Sequence, residues 1–225
     1  MTRRAVLVVA KAPVPGQVKT RLMAAYSAVD AARLAAAALV DTLDVALSVP
    51  DTEVVVSLAG DLDVAIDAEG IAARLARTTV IGQFGDTLGD RLHRAHVDAA
   101  EVVDGGAVMQ VGMDTPQLTV TLLTSGFDAL GVHDAALGLA ADGGWWGLGV
   151  VGARGAQTLP AVHMSRPDTG ARTLDALRAD GSTVALLDSL SDVDHPADVP
   201  EVAKKCAPTS AFATAAAELR SAVRP

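Results

Sequence analysis

Short apolar runs alternate along this chain with longer stretches of helical spacing. The first run, AVLVVA at 5–10, is unbroken and flanked by charge, the pattern of a strand buried on both faces. The loop after it, KAPVPGQVKT at 11–20, holds two prolines and a glycine and can continue neither strand nor helix. Residues 27–48 are alanine-rich and place Leu34, Leu39, Leu43 and Leu47 near helical spacing, with Pro50 as the stop. The β-branched segment 53–59 predicts a second strand, 61–76 a short helix interrupted by Gly70, and 78–81 a third strand. A loop with three glycines at 82–89 leads to a helix at 91–103, a fourth strand at 107–111 and the turn GMDTP. Residues 117–126 predict a helix ending at Gly126, and 136–152 a loop leading into one further strand. A helix at 168–180, capped by Asp168 or Thr169 and closed by Gly181, precedes a strand at 183–187. The acidic loop SDVDHPADV at 191–199 and a peripheral amphipathic helix at 209–223 complete the chain.

This alternation predicts an α/β fold with a mostly parallel central sheet and helices on both faces. No repeat, linker or low-complexity tract divides it, so one domain over 1–225 is expected. In such sheets ligands bind beyond the carboxyl ends of the strands. Three loops there carry unusual chemistry: 11–21, 112–116 and 191–198.

Composition narrows the function. Half of the residues are apolar and aromatics are 3%, so helices of small residues can pack closely on the sheet. The net charge of -9 argues against nucleic acid and anionic membranes as partners. Against that background Arg3, Arg4, Lys11, Lys19 and Arg21 form a locally basic segment. The single cysteine, Cys206, excludes a disulfide within the chain and makes a thiolate metal site an unsuitable reading. The apolar run after Arg3-Arg4 is too short for a twin-arginine signal, and no stretch reaches the roughly 18 apolar residues of a membrane span. A cytoplasmic protein is expected.

The loop at 11–21 is the centre of the candidate chemistry. Loop amides and a helix start both attract anions, and Lys19 and Arg21 offer a point charge and a planar fork for phosphate oxygens. Two solvated cations would be the plainer reading, but cations at a helix start oppose its dipole, which a bound anion would relieve. Asp114 follows a buried strand and is either a turn residue before a helix or a ligand for Mg²⁺ or Mn²⁺. Asp192, Asp194 and Asp198 repel one another unless solvated or neutralised by a cation; Asp194 is the candidate to complete a metal site with Asp114. Asp142 precedes Gly143-Gly144, and of Trp145 and Trp146 one should point inward while the other could stack on a base, sugar or acceptor. Gln83, near Gly85 and Asp86, could read a base edge. His163 is read as structural or solvated. G-x-G-x-x-G is absent after the first strand, which disfavours a dinucleotide site.

Four segments together resemble a bacterial glycosyltransferase-like family, DUF2064, of the GT-A nucleotide-diphospho-sugar transferase superfamily. They are AKAPVPGQVKTRL at 10–22, QFGDTLGDRL at 83–92, VGMDTPQLT at 111–119 and LGLAADGGWWGLGV at 137–150. SDVDHPADV at 191–199 is similar to an acidic ending shared with several nucleotidyltransferases. The resemblance implies a single-domain GT-A (Rossmann-like) fold and a metal-dependent transferase using a nucleotide or nucleotide-sugar donor and a small-molecule acceptor. By it, Ala10, Lys11, Ala12, Pro13, Gly16, Lys19 and Arg21 would wrap the base and phosphates, with Gln83 and Gly85 beside them. Asp114 and Asp194 would hold Mg²⁺ or Mn²⁺. Lys19 and Arg21 would stabilise the leaving group, and Asp142 would deprotonate the acceptor. Glycosyl transfer is the first expectation. Nucleotidyl transfer of guanylyl or cytidylyl type, releasing pyrophosphate, is the second, because the opening loop also resembles phospholactate guanylyltransferases. A catalytically weak nucleotide-binding module is the third. Lys19 and Arg21 should face Asp114 and Asp194 across one cleft.

Overall fold

The computed structural model describes residues 3–222. Its centre is a seven-stranded sheet of β1 (Arg4–Lys11), β2 (Glu53–Ala59), β3 (Thr79–Gly82), β4 (Ala107–Gly112), β5 (Ala135–Ala140), β6 (Trp145–Val151) and β7 (Val184–Leu190). The strand order is β3-β2-β1-β4-β6-β5-β7. All strands run parallel except β6, which is antiparallel to both β4 and β5. The helices are α1 (Ala28–Leu47), α2 (Ala68–Leu75), α3 (Leu88–Val102), α4 (Val120–Ala129), α5 (Thr169–Ala179), α6 (Asp198–Ala203) and α7 (Ala211–Ala222).

The central position of β1 explains its composition. Ala5, Val6, Leu7 and Val8 are all fully buried because helices cover both faces. Val6 and Val8 pack with α1, α2 and α4, whereas Ala5 and Leu7 pack under α3. Helix α5 and a 3-10 turn at Ala156–Ala161 continue the second layer over β5 and β6.

Helix α1 is alanine-rich because it is buried on two sides. Leu39 and Leu43 face the sheet, while Ala31, Leu34 and Ala38 face α6 and α7. The expected helix at 209–223 runs Ala211–Ala222, and residue 223 lies outside the described residues. Phe212 anchors it, fully buried, and the Asp41 carboxylate on α1 accepts from the Ala211 and Phe212 amides at 2.8 Å each. Among the described residues, no helix is long and apolar enough to cross a membrane.

Three local expectations are corrected. The segment read as a loop before β6 contains β5, and β5 and β6 form an antiparallel hairpin around the 141–144 turn. Its sequence, AALGLA, lacks β-branched residues because small ones are required there: a side chain on Gly138 would collide with the Trp146 ring. Helix α2 is half the expected length, since Asp67 adopts a left-handed conformation (φ 55) that starts it late. Helix α4 passes through Gly126, which is buried against Met109 instead of ending the helix.

Candidate functional site

The carboxyl ends of β1, β3, β4, β5 and β7 deliver five loops to one edge of the sheet, and the candidate residues lie on or beside them. The 11–21 loop is held by its backbone and by its apolar residues. The Ala12 amide donates to the Ala59 carbonyl at 2.8 Å, and the Pro13 carbonyl accepts from Ile66 at 3.1 Å. Val14 and Val18 are buried, and Gly16 turns the chain at φ +76. Lys19 itself is left-handed (φ 47, ψ 41), a conformation costing a non-glycine residue about 1 kcal/mol or more. Leu22, fully buried, anchors the short 3-10 helix at Thr20–Ala24 that follows.

This backbone brings the cations to the acidic turns. Lys19 Nζ lies 2.6 Å from Asp114 Oδ2 and 3.7 Å from Asp194 Oδ1, and Arg21 pairs with Asp194. The two acidic turns are tied together, because the Val193 amide donates to the Asp114 carbonyl at 2.9 Å. Asp198 shapes the second turn by accepting from the Asp194 and His195 amides. The four residues therefore meet at one place, as expected.

Burial opposes the charged form of Lys19. Asp114, Asp194 and Asp192 more than offset this, so its pKa stands above the ordinary lysine value. Asp192 shows the opposite imbalance. Burial, with the charges of Asp142 and Asp114, pushes its carboxyl up to about 6 despite Lys19.

A cleft of about 480 Å³ opens beside this cluster, lined by Ala10, Lys11, Gln83, Gln110, Asp114, Asp142 and Trp145 among others. A second recess of about 340 Å³ holds Lys11, Lys19, Arg21, Asp114 and Asp194. A third, about 120 Å³, is lined by Asp114, Asp142, Trp145, Trp146 and Asp192. Asp114 lines all three.

The remaining candidates divide. Asp142 lines the cleft, with Oδ1 accepting from the Gly144 amide at 2.8 Å. Lys11 reaches the Gln17 carbonyl at 2.9 Å. Gln83 reaches the cleft, but its Nε2 donates to the Ala10 and Ser57 carbonyls, both at 2.9 Å, so its free group is the carbonyl oxygen. Ala12 and Pro13 are buried and build the loop from behind. Gly85, at φ +138, acts through its carbonyl, which accepts from Arg91 Nε at 3.0 Å. Of the two tryptophans, Trp146 points inward, 3% exposed and donating to the Asp188 carbonyl, while Trp145 faces the cleft. His163 is exposed and lines none of these recesses.

Asp192, Gln110, Arg91 and Arg166 also line this system of recesses without having been singled out as site residues. Gln110 carried a signal, a lone amide in the apolar strand AVMQVG. Asp192 carried a weaker one, its spacing of two from Asp194 around the buried Val193.

The donors suit a hard divalent ion. Asp114, Asp142, Asp192 and Asp194 offer carboxylate oxygens around adjoining recesses. Among the described residues, no three His, Cys, Asp or Glu side chains converge to hold an ion alone. Phosphate or water oxygens would complete the shell, which is ordinary for Mg²⁺.

The sheet order and the cleft at its carboxyl edge define a GT-A-like α/β protein, the architecture of nucleotide-sugar transferases and nucleotidyltransferases. Residues 42–166 match the family model described as "Uncharacterized protein conserved in bacteria (DUF2064)", and the chain belongs to that family. A "putative nucleotide-diphospho-sugar transferase" from Desulfovibrio desulfuricans G20 is similar, with TM-score 0.85 and 25% identity over 98% of this chain and 96% of that one. The 4-diphosphocytidyl-2C-methyl-D-erythritol synthase of Anaerococcus prevotii DSM 20548 gives TM-score 0.57 and 10% identity, covering 96% of each chain. Rv0371c of Mycobacterium tuberculosis H37Rv, in complex with manganese, gives 0.51 and 19% over 89% of this chain and 97% of that one. The latter two show a shared fold. No curated protein sequence matches the chain.

Proposed function

We propose that this protein is a transferase using a nucleotide-activated donor, with a nucleotide sugar as donor and a small molecule as acceptor. The observation that carries this is the meeting of Lys19 and Arg21 with Asp114 and Asp194 in the recess beside the cleft. The likeness to the Desulfovibrio protein, over nearly all of both chains, supports the same class. The cleft suits the donor's base and sugar, and the cation recess suits its phosphates. Lys19 and Arg21 would bind phosphate oxygens and stabilise the charge that develops on the leaving nucleoside diphosphate. Without a ligand these cations pair with Asp114 and Asp194, so phosphate and ion would exchange for those pairs on binding.

Asp114, with Asp194 as second carboxylate, would hold Mg²⁺ or Mn²⁺. Bound there, the ion would supply Lewis-acid stabilisation of the departing phosphates. The manganese complex of the Mycobacterium protein is in keeping with such an ion. Asp142 would accept the proton of the acceptor hydroxyl through the oxygen that Gly144 leaves open. The 10–16 backbone and Gln83 would enclose the base end, and Gly85 would position Arg91.

Nucleotidyl transfer is the second reading. Gly144 occupies one oxygen of Asp142, and an acceptor phosphate, already a nucleophile, would need no base. Incubation with nucleotide sugars and nucleoside triphosphates, with Mg²⁺ or Mn²⁺, separates the two. Release of a nucleoside diphosphate supports glycosyl transfer, release of pyrophosphate supports nucleotidyl transfer, and binding without turnover leaves a nucleotide-binding module. Failure to bind any nucleotide overturns all three.

A further inference from the structure

Gln110, near the middle of β4, lies at the floor of the main cleft and is 3% exposed. Its Oε1 is sealed from solvent and turned to the buried His96 of α3, short of close hydrogen-bond geometry. The fully buried His96 has this amide as its acceptor neighbour, which raises the imidazole pKa against burial, although neither ring nitrogen reaches close hydrogen-bond geometry. Native proteins keep few such orphans, because an unmade buried hydrogen bond is costly. A leucine at 110 would continue the apolar strand without that cost. At the floor of the cleft its Nε2 is the atom a ligand would touch.

Gln83 adds a constraint from the other side of the cleft. Both of its N–H groups go to backbone carbonyls, so it presents an acceptor that a ligand N–H or O–H must meet. A phosphate ionised at neutral pH has no donor to offer. Val9, Leu92 and Trp145 supply apolar surface to the same cleft, which suits the faces of a flat ring better than a sugar. A ring with apolar faces and an edge bearing N–H and acceptor groups is a nucleobase.

We propose that Gln110 is a specificity-determining residue that reads the hydrogen-bonding edge of the donor's base, with Gln83 as its counterpart. This rests on the nucleotide reading above and deepens it by assigning the base to the Gln110 end of the cleft and the phosphates to the Lys19 end. A base presenting the wrong edge leaves a buried amide unpaired. The site should therefore favour one base over the others by roughly 10-fold or more.

The test is binding of UDP, CDP, GDP and ADP, which differ in the base, to the full-length protein and to Gln110→Leu with Mn²⁺ present. The inference predicts a preference in the wild type that collapses to within about 3-fold in Gln110→Leu, with the tightest ligand weakened roughly 10-fold or more. An unchanged ranking in a folded Gln110→Leu overturns the inference and leaves the proposed function standing. Absence of binding of all four in the wild type overturns both. A second measurement needs no variant: the side-chain amide resonance of Gln110 in nitrogen-15-labelled wild type should shift when the preferred nucleotide is added, but not with inorganic tripolyphosphate. A Gln110 resonance that stays in place as the nucleotide saturates also overturns the inference.

Discussion

Replacing His96 with leucine should change how stability depends on pH. His96 is fully buried on α3, beside Gln110 and with His93 on the same helix. Burial is the main cause of a pKa pushed down from 6.5 to about 4; Gln110, as acceptor, opposes the shift and His93 adds to it. Between those values the unfolded chain binds a proton at this site that the folded chain does not. Stability contributed by the neutral imidazole is therefore present above 6.5 and lost as pH falls. At 1.36 kcal/mol per pKa unit, the loss between pH 8 and pH 5 is about 2 kcal/mol. Asp192 works with the opposite sign, because its folded pKa is raised to about 6, so it adds stability on acidification. The wild type mixes the two effects, and the difference between wild type and His96→Leu isolates the first. Urea unfolding of both proteins at pH 8 and pH 5 supplies the four free energies. His96→Leu should escape about 2 kcal/mol of the acid-induced loss, whatever its stability at pH 8. Equal pH dependence in the two proteins would refute the claim that His96 is held neutral behind the cleft.

Three further substitutions probe other links. Gly143→Ala forces a side chain onto a residue at φ +92 and against the Pro167 carbonyl, and should cost about 2–3 kcal/mol in thermal or urea unfolding. Phe212→Ala empties the fully buried anchor of α7 and should cost about 3–5 kcal/mol in the same assay. Trp145→Ala should weaken nucleotide or acceptor binding by about 1–3 kcal/mol in calorimetry, the range of ring stacking, with some loss of stability because the half-buried ring also packs on the core. Equal affinity in Trp145→Ala would remove that ring from the site.

Much of the fold was legible because its strongest signals are periodic. The unbroken run of β1, the leucine spacing of α1 and the β-branched β2 each follow from burial on defined faces. β5 was not legible, because its small residues answer to the Trp146 ring across the hairpin, a contact between residues that local propensity ignores. The convergence of Lys19, Arg21, Asp114 and Asp194 was legible from loops at strand ends, where a parallel sheet gathers its ligands. Gln83 was harder. Its amide suggested base reading, but the carbonyls of Ala10 and Ser57 take both donors, and only tertiary contacts reveal that. Asp192 stood in a plain acidic loop until the fold put it in the same recess as Asp114 and Asp142.

The central claim is that Lys19 holds donor phosphates at a metal-assisted site around Asp114. Calorimetric titration with a nucleoside diphosphate, with and without Mn²⁺, tests it in the wild type, Lys19→Met and Asp114→Asn. The account predicts wild-type binding that strengthens with Mn²⁺, a loss of about 1.5–3 kcal/mol in Lys19→Met, and no Mn²⁺ effect in Asp114→Asn. Equal affinity in all three proteins, with or without the ion, would contradict it.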